Sequence, residues 1–148
     1  MKKQTIAIMI CTVLFLIITA GCSEKTPPLP KVMAGKTLIP VKQSSYCWGK
    51  LGCADYGGPK SVLKGQQPTV VAPESNIKVS FNYKEEPSNI KVTLSQDEKP
   101  VDIPLKDGYF QAPKQPGIYY YGIFAYWRSD DGKHSHGDTS SDFVIEVQ

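Results

Sequence analysis

From Asn76 onward, apolar and polar residues alternate with a period of two. NIKVSFNY (76–83) puts Ile77, Val79, Phe81 and Tyr83 on one side, with Lys78, Ser80 and Asn82 on the other. That is the pattern of a half-buried strand. NIKVTLS (89–95) repeats it with Ile90, Val92 and Leu94, and VDIPL and GYFQA give two short strands around Lys106-Asp107-Gly108. Pro116-Gly117 introduces IYYYGIFAYW (118–127), and DFVIEV (142–147) closes the chain. Upstream, TLIPVK is expected to be an edge strand, because Pro40 cannot donate a ladder hydrogen bond. Between these, ADYGGPKSVLKGQQP is turn-rich, with room for one helical turn near Lys60 to Lys64. Turn signals at short spacing, and no amphipathic helix of useful length, predict an all-β sandwich over residues 37–148.

The aromatic run refines this expectation. In immunoglobulin-like domains a tyrosine near the start of strand F lies two residues before an inward core position. PGIYYY resembles that pattern, with Tyr119 at the corner and Tyr121 in the core, and DFVIEV would be strand G. The resemblance implies an immunoglobulin-like antiparallel β-sandwich. Tyr119, Tyr121 and Trp127 share the parity expected to face the core. Tyr120, Phe124 and Tyr126 then need either a covering segment, for which 45–65 is the candidate, or a partner. Tyr109 and Trp48 could join them on a binding face.

The first residues change the picture of where this domain sits. Lys2 and Lys3 precede an apolar run, Ile6 to Ile18, and then Thr19-Ala20-Gly21-Cys22. The run is short for a membrane span, which needs roughly 20 residues, and its order is that of an export signal. Residues 1–21 are accordingly expected to be a signal peptide; Thr-Ala-Gly-Cys resembles a bacterial lipobox, which implies lipidation at Cys22, and 22–36, rich in proline, is expected to be a flexible tether. Removing the signal takes Lys2 and Lys3 from the 17 basic residues, leaving 15 against 14 acidic ones. A near-neutral, scattered surface offers no footprint for nucleic acid.

Of four cysteines, Cys11 leaves with the signal and Cys22 carries lipid, so Cys47 and Cys53 remain, in SYCWGKLGC. Outside the cytoplasm such a pair is expected to form a disulfide. Redox couples usually use C-x-x-C at a helix start, and a tetrahedral zinc site needs about four ligands. A thiol-disulfide activity and a metal site are therefore the lesser alternatives to a staple.

Candidate chemistry elsewhere is sparse. The polar stretch from Arg128 to Ser141 is expected to be a long loop, and a partner-binding one. It carries Arg128, Asp130, Asp131, His134, His136 and Asp138. His134 and His136 alternate and could hold a divalent metal, but two ligands are too few to specify a site. There is no G-x-S-x-G, no H-E-x-x-H and no glycine-rich phosphate loop, so neither catalytic residues nor a cofactor is expected.

The Thr-Ala-Gly-Cys box, SYCW with its second cysteine, PTVV and the terminal PGIYYY…FVIEV block together resemble a group of small lipoproteins of Gram-positive bacteria. The resemblance covers most of the chain beyond the signal and supplies no activity. It implies a protein held on the outer face of the cell membrane by two acyl chains, enough for stable anchoring. The resulting expectation is a non-enzymatic lipoprotein that binds a protein or cell-envelope partner.

Overall fold

A computed structural model describes residues 26–96, 99–128 and 135–148. Eleven strands follow one another along the described chain. The first five are β1 (Pro30–Ala34), β2 (Thr37–Ile39), β3 (Lys42–Trp48), β4 (Gly52–Ala54) and β5 (Thr69–Val71). Then come β6 (Asn76–Phe81), β7 (Asn89–Gln96), β8 (Lys99–Ile103), β9 (Tyr109–Gln111), β10 (Gly117–Arg128) and β11 (Ser135–Val147). One short helix, α1 (Pro59–Val62), falls where the turn-rich stretch allowed a helical turn.

The strands form two sheets, ordered β2-β1-β6-β9 and β4-β3-β11-β10-β7-β8. Within them neighbours are antiparallel; β5 joins the second sheet alongside β11 and is parallel to it. The order β11-β10-β7-β8 facing β6-β9 is the G-F-C-C′ over B-E arrangement of an immunoglobulin-like sandwich. The corner tyrosine is in place: Tyr119 donates from its hydroxyl to the Gln115 carbonyl at 2.8 Å. Tyr119→Phe keeps the ring but orphans that carbonyl. It should cost about 1–2 kcal/mol, measurable as a lower urea midpoint at unchanged slope.

The N-terminal stretch adds two hairpins, one to each sheet. β1 pairs with β6 and β3 with β11, so the chain crosses from one sheet to the other at Pro40. The single strand expected over TLIPVK is therefore two, divided at the residue that cannot donate to either ladder.

Two further expectations need correction. The flexible tether assigned to 22–36 does not extend past Leu29. PKVMA is strand β1, with Val32 0% exposed and registered on Val79. Pro27, Pro28 and Pro30 mask the alternation, and Pro30 opens the strand, a position where proline is tolerated. The long loop expected over 128–141 is mostly sheet. Arg128 ends β10, and Ser135–Ser141 already belong to β11. The inward side chains there are Thr139 and Ser141, polar yet each 1% exposed, so no apolar alternation announces the strand. Gln43 satisfies this patch, its Nε2 donating to Thr139 Oγ1 and to the Ser140 carbonyl, both at 2.7 Å.

The core has two parts. The main one unites Val32, Ile39, Ile77, Val79 and Phe110 with Tyr121, Ile123, Phe143 and Ile145 of the larger sheet, Tyr121 and Phe143 stacking at 4.9 Å. The second joins Trp48, Ala125 and Trp127, with Phe81 and Tyr83 against them. Trp48 is thus a core residue and not part of a binding face. Cys47, one residue earlier, faces outward and is bonded to Cys53 directly across the β3–β4 hairpin, Cα to Cα 4.0 Å. The loop so closed is short, so reduction should lower stability by only about 2 kcal/mol. Parallel denaturation with and without reductant reads this directly.

Candidate functional site

The outer face of the larger sheet carries one row of unusual composition. Thr93 of β7, Gly122 of β10, Asp142 of β11 and Lys42 of β3 lie side by side across it. Gly122 interrupts the aromatic strand with no side chain at all. A Cβ there would come within 3.1 Å of Thr93 Oγ1, 3.4 Å of Asp142 Oδ1 and 3.7 Å of Pro59 Cγ. Glycine inside a strand marks such a close approach.

Residues 55–63 cross over this face as a strap. At its start, Ser45 Oγ accepts the Tyr56 N–H at 2.9 Å and donates to Asp55 Oδ1 at 2.7 Å. At its end, Lys42 Nζ donates to the Val62 carbonyl at 3.4 Å, and Leu63 is buried. Proline opens α1, whose backbone bonds carry the turn on to Leu63. The segment 45–65 expected to cover the outward parity of β10 does so at Gly122, through Pro59. It leaves Phe124 41% exposed.

Between strap and sheet lies an open groove of about 420 Å³. That falls within the range of small-ligand sites. Tyr56, Pro59 and Phe124 supply apolar walls, and Ser44, Thr93, Lys91 and Asp142 supply polar groups. Asp142 is the unusual member. It is 3% exposed; the Ser44 side chain bonds to its carboxyl group, but Oδ2 has no hydrogen-bond partner. Burial pushes its pKa up from 3.8 to about 6, the Ser44 bond opposing only part of that rise. Among the described residues the ion pair found is Lys91–Asp102, at 3.0 Å on the rim, and no cation is within that reach of Asp142.

The residues singled out from the sequence lie elsewhere. Cys22, Asp130, Asp131 and His134 fall outside the described residues. Arg128 lies over the Tyr126 ring, and its Nη2 donates to the Tyr126 hydroxyl at 2.8 Å. His136 is exposed where the β10–β11 register shifts, and Asp138 is registered on Cys47. With the disulfide they line a second hollow of about 350 Å³. Among the described residues no three His, Cys, Asp or Glu side chains are placed to hold a metal. Tyr109 is exposed on the smaller sheet, away from the groove. Alternation alone misses Asp142, marking it simply as the first residue of the last strand. The available signal is Gly122, a glycine in mid-strand among aromatics. Comparison with protein-family models, with curated proteins and with solved structures finds no match to this chain.

Proposed function

We propose that the chain is a lipid-anchored, extracytoplasmic and non-enzymatic binding module, taking a protein or cell-envelope partner against the outer face of its larger sheet. The groove beneath the strap carries this reading, because it combines exposed aromatic walls with an unpaired buried carboxylate. The Thr-Ala-Gly-Cys box supports the anchor, and the Cys47–Cys53 disulfide fits an oxidising compartment. With Pro27 already buried, a lipid on Cys22 would hold the domain within about 18 Å of the bilayer, the reach of five extended residues.

Two variants test the two halves. Cys22→Ala should move the protein from the membrane fraction to the soluble or secreted one; unchanged membrane retention would refute the anchor. Phe124→Glu places a charge on the groove wall without touching the core. It should leave fractionation intact but shift the protein, on native gels of mild-detergent extracts, from a complex to the free chain. A complex that survives this change would place the partner on another surface.

A further inference from the structure

Resting on the groove as the binding site, the geometry points to a primary alkylammonium as the chemical group it takes. The buried wall of the groove ends in a carboxyl group, Asp142, with one oxygen out of contact with any donor. The basic side chains nearby are committed elsewhere. Lys42, beside Asp142 in the sheet, directs its ammonium to the Val62 carbonyl, and Lys91 is held by Asp102. A buried anion without a counter-charge favours a cation supplied from outside, since pairing offsets the desolvation that burial imposes. A single carboxylate with neighbouring hydroxyls suits an ammonium, three donors on one point charge, better than a metal ion needing several anionic ligands.

The remainder of the site fits the rest of such a ligand. Ser44, Thr93 and Ser140 line the polar side, while Tyr56, 54% exposed, and Phe124 flank the mouth. An alkyl chain lies along these rings, and their faces also favour the cation. Gly122, having no side chain, lets Thr93, Asp142 and Pro59 close together at the floor, where a Cβ would come within 3.1 Å of Thr93 Oγ1. Asp142 Oδ2 is shielded from solvent, and the exposed Gly57-Gly58 pair gives the strap freedom to let the ammonium reach it. The same chemistry could come from a free amine or from a lysyl side chain on a protein.

The test is a titration of the full chain in non-ionic detergent, followed by the amide resonances of Gly58, Gly122 and Phe124. The probes are n-butylammonium, its neutral match n-butanol, and the blocked peptide Gly-Lys-Gly with and without Nε-acetylation. Saturable shifts are expected with butylammonium, at least about tenfold tighter than with butanol, as one partly buried charge pair provides. Equal or tighter binding of the unacetylated peptide assigns the site to a lysyl side chain. Binding of butylammonium alone assigns it to a free amine. D142N should abolish the ammonium preference, and F124A, a change at the rim, should weaken binding several-fold. No saturable shift with either ammonium probe, equal binding of butanol, or undiminished binding in D142N would overturn the assignment. If D142N does not fold, undiminished binding in F124A does so. This titration on the purified chain can fail while complex formation in extracts persists, which would leave the binding role and remove only its ammonium chemistry.

Discussion

Trp127→Ala should lower the unfolding free energy by about 4 kcal/mol, the usual cost of emptying a fully buried indole site. Trp127 is 1% exposed and meets Trp48, Phe81 and Tyr83 edge-on, at centroid distances of 5.0, 5.2 and 5.7 Å. Its Nε1 donates to the Glu85 carbonyl at 2.9 Å, tying the β6–β7 connection to the sheet. Truncation removes the aromatic contacts and orphans that carbonyl. The neighbours cannot collapse into the space easily, because Trp48 already lies against Gly137, where a Cβ would come 2.5 Å from the indole ring. Trp127→Phe, which retains an aromatic plane but no donor, should lose a smaller amount. Urea denaturation followed by circular dichroism measures both. A loss below about 1 kcal/mol for the alanine variant would mean that this end of the sandwich is not the packed second core described.

Asp142→Asn should make the protein more stable at pH 8 and remove a large part of its pH dependence. The Asp142 carboxyl titrates near 6 in the folded state against 3.8 ordinarily, so folding favours its protonated form. The sign follows from linkage: the contribution is complete below about pH 4 and is lost as pH rises through about 6. A displacement of roughly two pH units corresponds to about 3 kcal/mol. Facing it are the Ser44 hydroxyl, Thr93, and Lys42 on β3, while Lys91 and Asp102 face each other at the rim. Subtracting the profile of the D142N variant from that of the wild type cancels the groups common to both proteins. The difference should be highest for the wild type below about pH 4, fall as pH rises, and level off above about pH 6. Parallel profiles would mean that Asp142 is not held as a buried acid.

Much of the sandwich is legible wherever one side of a strand is apolar. Ile77 and Val79, Val92 and Leu94, and Tyr119, Tyr121, Ile123, Ala125 and Trp127 all face inward as their alternation requires. The corner at Tyr119 is readable because it depends on a local contact spanning four residues. Three things are not. β1 hides among prolines, and Ser135–Ser141 hides because its inward residues are polar, Thr139 being satisfied by Gln43, 96 residues away in the chain. The groove is hidden most deeply, since it depends on a row drawn from four strands and on a strap crossing it. Alternation says which side of a strand is covered and nothing about which residues stand beside one another. Asp142 acquires its character only from neighbours that the sheet register supplies.

A partner seated in the groove on the outer face of the larger sheet, as proposed, should lie within reach of position 124. A photo-reactive phenylalanine analogue at position 124, introduced into the full chain in intact cells, tests this most directly. The same analogue at position 109, an exposed residue of the smaller sheet, is the control. A discrete cross-linked species is expected on the membrane from position 124 and none from 109. A cross-link from 109 with none from 124 would place the partner on the smaller sheet instead.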